Sequence, residues 1–505
     1  MSLGPLTNAV LDATEEAMAL VTRMNERDHT IWGEDPTEIA DRLGWLEAVE
    51  RARQIAPELA RIAAGVRDDG ITDVLLVGMG GSSLYPEVLA QSFGSAPGWP
   101  RLRVLDSTDP AAVKAAEDEL PWTATLLVPA SKSGGTIEMA CHLDRFWQRL
   151  VDVHGSAAGN FVVPITDPGS ALGARAADEG FRAVVDGQPD VGGRFSALSP
   201  FGLFPAALLG MDVERHVAAA AEQLEAAAST DKQVNAPVVL GATMAAAARQ
   251  GRDKLTLLLP DEVAAFGLWI EQLVAESTGK HGVGITPVVG ETPDNATFGD
   301  DRLVVAIGEH AGVEQLVGAG VPVVQVPWSG RDQISGEVVR FEVATAIAGA
   351  LLDINPFDQP DVAAAKAATA RMLETGEDLP PTSSAADLLE SAKPGDFVAL
   401  LGFVEPNSDN EAALHNSADR IREATGLPVT VGVGPRYLHS TGQLHKGGPG
   451  NAVFIITVGD DPEDVSIPGR DYSFSRLKRA QAAGDLATLE EAGRRVAHVA
   501  LADLP

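Results

Sequence analysis

The feature that most constrains this chain is a rhythm of short apolar runs, each closed by Gly, Ser or Pro and followed by a helical stretch. Val74-Leu75-Leu76-Val77 is the first, running into Gly78-Met79-Gly80-Gly81-Ser82-Ser83, and further runs follow at 102–105, 125–128, 161–165 and 183–185. Apolar runs that alternate with helices predict parallel strands covered on both faces. A second alternation starts near residue 235, with strands expected at 255–259, 303–307 and 323–326 and helices at about 334–353 and 360–374. The expected fold class is therefore α/β, with two tandem doubly wound parallel-sheet domains over 67–230 and 231–376. A helical segment, 1–66, precedes them; Val10, Ala13, Ala17, Met18 and Val21 recur there at helical spacing, and the stretch 32–37 breaks it. Leu379-Pro380-Pro381-Thr382-Ser383-Ser384 reads as a linker to an additional small α/β domain over 385–505. That piece is expected to hold strands at 397–401, 429–433 and 453–456, a helix at 409–424, and a helix over 478–502.

The chain has 505 residues, 45% of them hydrophobic, enough for two to four packed domains. Its net charge of −33 repels phosphate backbones, and with 5% aromatic residues it has few platforms for stacking bases. Nucleic acid is thereby excluded as a partner. The same field repels small phosphorylated ligands at long range. Any phosphate site must be built locally, from helix N-termini and a few placed cations, inside a screening length of about 8 Å. The single cysteine, Cys141, excludes a disulfide within the chain and a multi-cysteine metal site. The N-terminus lacks a basic stretch followed by an apolar core, and no run approaches a membrane span. A cytoplasmic protein with no membrane partner is expected.

Two turns invite a ligand. Gly78–Ser83 ends a strand and opens a helix, with glycines that let the backbone approach an anion. It is not the dinucleotide fingerprint, since position 83 is Ser, and it is not a Walker loop. Pro129-Ala130-Ser131-Lys132-Ser133-Gly134-Gly135-Thr136 offers three hydroxyls and an ammonium beside free helix N–H groups, which describes a monophosphate cradle. The bland reading of the same residues is a helix cap. Two such turns in one parallel sheet favour a ligand crevice outside the carboxyl ends of its strands.

These residues carry a resemblance. The Gly-Gly-Ser turn followed by a Ser-Lys-Ser turn resembles the sugar isomerase fold, and within it the glucose-6-phosphate isomerase family. More specific are Asp190-Val191-Gly192-Gly193-Arg194-Phe195-Ser196, Glu271-Gln272-Leu273-Val274-Ala275-Glu276-Ser277-Thr278-Gly279-Lys280, and Asn355-Pro356-Phe357-Asp358-Gln359-Pro360 with Lys366 beyond. The likeness covers roughly residues 70 to 370; beyond that, the chain is similar to the isomerase half of fused transaldolase–isomerase proteins. The resemblance implies an aldose–ketose isomerase interconverting glucose 6-phosphate and fructose 6-phosphate through an enediol, with no cofactor or metal. It implies Glu276 as the base, Arg194 beside the enediolate, Lys366 in ring opening, and Gln272 and Gln359 on the sugar. Gly81, Ser82, Ser131, Lys132, Ser133 and Thr136 would form the phosphate site, and a homodimer is expected. The chemistry agrees: the reaction needs a base between two carbons, a cation near the oxyanion and an acid–base for ring opening.

One departure stands out. The family places a His about thirty residues after the glutamate motif and supplies it from the partner subunit. Here that stretch, Gly290-Glu291-Thr292-Pro293-Asp294-Asn295-Ala296-Thr297-Phe298, has none. Arg436-Tyr437-Leu438-His439-Ser440-Thr441-Gly442-Gln443-Leu444-His445 resembles the missing motif moved to the tail. His439 is the expected ring opener, with His445 as a second candidate, and this loop is expected to enter an active site, such as a neighbouring subunit's. Rival readings are a dual phosphoglucose/phosphomannose isomerase and a non-catalytic sugar-phosphate-binding protein; the joint presence of Glu276, Arg194 and Lys366 disfavours the second.

Overall fold

The computed structural model describes residues 1–505, save the side chains at 362 and 363. It contains three parallel sheets. The first comprises β1 (Asp73–Gly78), β2 (Arg101–Leu105), β3 (Thr125–Ala130), β4 (Ile165–Thr166) and β5 (Val185–Asp186), in the order β2-β1-β3-β4-β5. The second comprises β6 (Lys254–Leu258), β7 (Thr286–Val288), β8 (Arg302–Ile307) and β9 (Val323–Val326), ordered β7-β6-β8-β9. The third, β10 (Phe397–Phe403), β11 (Val429–Val433), β12 (Ala452–Val458) and β13 (Arg495–His498), is ordered β11-β10-β12-β13. In each sheet the first strand lies inside and the order reverses beside it. Such a switch point opens a crevice at the strands' carboxyl ends. In the first sheet, the turns that leave β1 and β3 are the two singled out above.

Three local expectations are corrected. The strand expected at 161–165 shrinks to Ile165–Thr166, because Gly155–Phe161 coils into a 3-10 turn and Pro164 has no N–H for a ladder. The short strand β7, with Pro287 at its centre, carried no signal of its own. The helix expected over 478–502 runs instead over Phe474–Glu491; Gly493, at φ +68, turns the chain, and 495–498 returns as the edge strand β13.

The N-terminal helices bind the first two sheets into one core. Helix Ala48–Asp68 packs on Pro200–Leu208, and helix Thr7–Met18 packs on Ala236–Arg249. The third sheet's unit reaches back to the first. Phe474 and Leu477 share a core with Leu75, Val77 and Leu127. Two ion pairs bridge the same junction: Lys478 Nζ to Asp109 Oδ2 at 2.9 Å, and the Arg436 guanidinium on both oxygens of Asp106 at 2.8 and 2.9 Å. A third tie runs to the second sheet, where Glu291 holds Arg302 at 2.5 Å and faces Arg422 at 3.6 Å. Buried pairs of this kind add little net stability but penalise any arrangement that leaves one member unpaired. Among the described residues, no helix is long and apolar enough to cross a membrane.

Three histidines are buried. His142 stacks on Phe474, His216 meets the Tyr85 hydroxyl at 3.1 Å, and His445 packs on Tyr437 and Phe454. Burial pulls their pKa values down to about 4, about 4 and about 3, against about 6.5 in an unfolded chain. At these three rings the folded chain binds fewer protons than the unfolded one below about pH 6.5, so their contribution to stability falls as pH drops from there towards about 4. With urea midpoints measured at pH 7.5, 6 and 5, His142→Gln is expected to gain on the parent protein as the pH falls, because it removes one ring that the folded state keeps unprotonated.

Candidate active site

Two glycines let three chain segments meet at the end of β1. Gly80 takes φ +55, and a Cβ there would lie 2.6 Å from the His439 carbonyl and 2.8 Å from Gln272 Nε2. At Gly81 a Cβ would lie 1.9 Å from the carbonyl of Gly193. The turn Gly193–Phe195 thus packs flush on the β1 turn and projects Arg194 inward.

Arg194 is only 2% exposed. Its Nε donates to Ser277 Oγ at 2.8 Å, and its Nη2 donates to the carbonyls of Pro356 at 2.6 Å and Asp358 at 2.8 Å. Its Nη1 faces Glu276 Oε1 at 3.3 Å and Gln359 Oε1 at 3.5 Å. Burial lowers the guanidinium's pKa, with Glu276 and Asp358 opposing, yet an arginine stays charged at any working pH. Glu276 and Gln272 lie one turn apart on helix Phe266–Thr278, on the same face. Gln272 Nε2 donates to Glu276 Oε2 at 3.0 Å and to the His439 carbonyl at 2.9 Å. Lys280 braces the neighbouring loop from below, with Nζ 2.5 Å from the Asn355 carbonyl and 2.6 Å from Asp358 Oδ1. Burial first, then nearby Arg194, brings this ammonium's pKa down to about 7.

His439 closes the turn Arg436–His439 in the third unit. It stands at the site of its own chain, where the sequence had suggested a neighbour's. Its Nε2 lies 2.8 Å from Glu138 Oε1, an oxygen that also accepts from Gln481 Nε2 at 2.7 Å. Burial opposes protonation of the imidazole, but the Glu138 carboxylate outweighs it and holds the ring's pKa above its usual range. Burial likewise pushes Glu138 up, and His439 reverses that, leaving the carboxyl below its usual range. A cavity of about 180 Å³ opens here, lined by Gly135, Glu138, Lys366, Leu438, His439 and Gln481. Lys366 thus faces His439 across it.

The loop after β3 forms part of this cavity's rim. Thr136 occupies the N-cap of helix Ile137–His154, yet its hydroxyl bonds to Ser131 Oγ at 3.0 Å and caps nothing, leaving the first helical N–H groups free. Ser133 and Gly135 are exposed beside them, and Ser82, on the β1 turn, is half-buried. Lys132 turns to other work: its Nζ donates to Asp167 Oδ2 at 2.6 Å and to the carbonyls of Gln188 and Pro189, each at 2.9 Å. All three donors of the ammonium are taken, so it braces the loop against the chain around β4 and β5. His445 is not brought to this site; it is buried between Tyr437 and Phe454 and lines a different cavity.

The structure thus gathers Glu276, Gln272, Arg194, Gln359 and His439, with Lys366 across the cavity. Gly81 and Ser82 stand on one turn, and Ser131, Ser133 and Thr136 on the other. Sequence reasoning passed over Glu138 and Gln481. Glu138 had a legible signal, a carboxylate in the first turn of an apolar helix just after the hydroxyl-rich loop. Gln481 had none, since its partner lies 343 residues away. Among the described residues, no group of three or more His, Cys, Asp or Glu side chains is placed to hold a metal ion.

The family model for phosphoglucose isomerase matches residues 14–326. A glucose-6-phosphate isomerase from Rubrobacter xylanophilus is 32% identical over 390 residues, covering 65% of this chain and 88% of that protein. Another, from Gloeothece citriformis, is 28% identical over 379 residues, covering 65% and 72%. Among solved structures, a glucose-6-phosphate isomerase from Chlamydia trachomatis superposes with a TM-score of 0.61 at 19% identity, covering 74% of this chain and 86% of that one. A hypothetical protein from Thermus thermophilus gives a TM-score of 0.63 at 24% identity, covering 73% and 98%. At such identities the two structures speak to the fold alone. With the family model matching well over half its length, the chain belongs to the phosphoglucose isomerase family.

Proposed function

We propose that this chain is a glucose-6-phosphate isomerase, interconverting glucose 6-phosphate and fructose 6-phosphate, with its working residues all drawn from one chain. The observation that carries the reading is the buried pair of Arg194 and Glu276, 3.3 Å apart, with His439 held beside it through Gln272. A carboxylate next to a fixed cation suits a proton transfer whose intermediate carries charge on oxygen.

In this reading the phosphate sits at the N-terminus of helix Ile137–His154, on its free N–H groups and the hydroxyls of Ser131, Ser133 and Thr136, with Gly81 and Ser82 alongside. His439 donates Nε2–H to Glu138, which fixes the tautomer and leaves Nδ1 to take the anomeric hydroxyl's proton. Lys366 gives a proton to the ring oxygen, and the ring opens. Glu276 then removes the proton on C2 and returns it to C1, a proton passes from the C2 hydroxyl to O1, and Arg194 steadies the enediolate between the two carbon steps. Gln272 and Gln359 hold the sugar's hydroxyls. The family's partner-supplied histidine is replaced by one from the appended unit, so a dimer, expected of the family, is not needed to complete the site. Work on free sugar phosphates, in a chain with one cysteine, suits the cytoplasm.

The direct test is to supply fructose 6-phosphate and follow glucose 6-phosphate in a coupled assay. Glu276→Gln is expected to lower kcat by about 10³-fold with an unchanged fold; full turnover by that variant rules out its role as the base. Glu138→Gln removes the charge that raises the His439 pKa, so the acid limb of kcat/KM is expected to move to lower pH and kcat to fall about tenfold or more. Specific activity per chain is expected to stay constant on serial dilution across any dissociation of subunits, as read by mass photometry beside the assay.

A further inference from the structure

The two groups read as ring openers stand on elements far apart in the chain. His439 closes a turn of the third unit, and Lys366 lies on helix Val362–Thr375, past the second sheet. That helix rests along helix Phe474–Glu491. Gly484 lets the two backbones close up there, since a Cβ at that glycine would lie 3.0 Å from the Thr369 nitrogen. Side-by-side packing sets the separation and crossing angle of two helices. It leaves open how far along its axis the Lys366 helix stands, and so how Lys366 faces His439.

One buried amide fixes that station. Gln443, 2% exposed, follows His439 by four residues and lies in the short helix Gly442–Gly447. Asp361, the N-cap of the Lys366 helix, makes no side-chain cap of its own. Its backbone N–H donates instead to Gln443 Oε1 at 3.1 Å, and its Oδ2 accepts from Gln443 Nε2 at 2.6 Å. The same Nε2 donates to the Gly279 carbonyl at 3.0 Å. Gly279 is the C-cap of helix Phe266–Thr278, three residues past Glu276. Gln443 thus meets groups that a helix leaves unpaired at the start of the Lys366 helix and at the end of the Glu276 helix. Both amide hydrogens and the amide oxygen are engaged. The junction is closed to anything larger than a glycine: a Cβ at Gly447 would lie 2.6 Å from Asp361 Oδ2, 2.7 Å from Gln443 Nε2 and 2.7 Å from the Gly279 carbonyl. Glu276 has further anchors in Gln272 and Arg194. Among the described residues, Asp361 has side-chain hydrogen bonds with Gln443 alone.

We propose, on the isomerase reading of this site, that Gln443 is a positioning residue for ring opening. Its amide holds Lys366 at a fixed station opposite His439, while Gln443 itself stays outside the cavity lining. Loss of the amide frees the start of the Lys366 helix and slows ring opening. Proton transfer between the carbons is spared, because Glu276 and Arg194 hold each other.

Exchange NMR on an equilibrated mixture of glucose 6-phosphate and fructose 6-phosphate reads two rates from one sample: interconversion of the α and β anomers, and transfer between aldose and ketose. Gln443→Leu is expected to lower the anomer rate at least about tenfold and the transfer rate by a smaller factor. Asp361→Ala, at a half-buried position, is expected to show the same pattern more weakly, and it decides the matter where Gln443→Leu does not fold. Glu276→Gln is expected to do the reverse, losing transfer and keeping the anomer rate. A mere loss of folded protein lowers both rates in proportion. Proportional loss in the Gln443 and Asp361 variants, or an unchanged anomer rate in them, therefore overturns the proposal and leaves the isomerase reading standing. Full transfer by Glu276→Gln overturns that reading, and this proposal with it.

Discussion

The arrangement turns on one buried cation. Taking a guanidinium out of water costs several kcal/mol, and the cost is tolerable only where its donors are met. Arg194 meets them from two segments: the Ser277 hydroxyl and Glu276 carboxylate on one helix, and the Pro356 and Asp358 carbonyls and the Gln359 amide on one loop. A lysine has neither the planar fork nor, with three donors, enough to serve these five partners. The first sheet's unit is thereby locked to the second by the same side chain that is proposed to steady the enediolate. The glycines of the β1 turn are a corollary, since any side chain at Gly81 would push the Arg194 turn away.

The third unit obeys the same logic at longer range. Its docking is fixed by Lys478 on Asp109 and Arg436 on Asp106, and His439 follows Arg436 by three residues on one short turn. A clamp so close to the imidazole leaves it little freedom. Glu138 and Gln481 then set the ring's orientation and bias its proton. An appended unit can replace a partner subunit only where its position is this well determined, because a histidine misplaced by about 1 Å costs heavily in rate. On the proposed mechanism the Arg436–Asp106 pair therefore serves catalysis as well as folding.

Much of this was legible beforehand. Strands β1, β8, β10 and β12 each carry an uninterrupted run of four or five apolar residues, and such runs declare themselves, while β9 and β11 are broken by Gln325 and Thr430 and are carried by their valines. Strands β4, β5 and β7 are two or three residues long and are defined by their neighbours. Glu276, Arg194, Gln272 and Gln359 lie in motifs whose order along the chain could be read, and they converge. Lys132 looked equally apt, an ammonium in a hydroxyl-rich loop. What the sequence could not say is that Asp167 and two carbonyls, 35 to 57 residues away, would take up all its donors. His445 misled for the opposite reason: its spacing suggested a functional loop, whereas the fold encloses it among aromatic rings. The source of His439, neighbour or self, was a question of docking, and docking is written in pairs such as Lys478 with Asp109, which no local pattern reveals.

The diversion of Lys132 bears on how so acidic a chain can hold a phosphate. With a net charge of −33, long-range attraction cannot help, and the loop's own ammonium is neutralised by Asp167. What remains is a set of dipoles: the free N–H groups that open helix Ile137–His154, and hydroxyls that can rotate to donate. Dipoles act over the first turn only, so they recognise a phosphate that has already arrived and do not recruit one from afar. In the proposed reading the cations Arg194 and Lys366 stand at the sugar end of the crevice. On that reading charge is withheld from the part of the substrate that is merely held and placed where charge changes during the reaction, which favours the transition state over the ground state.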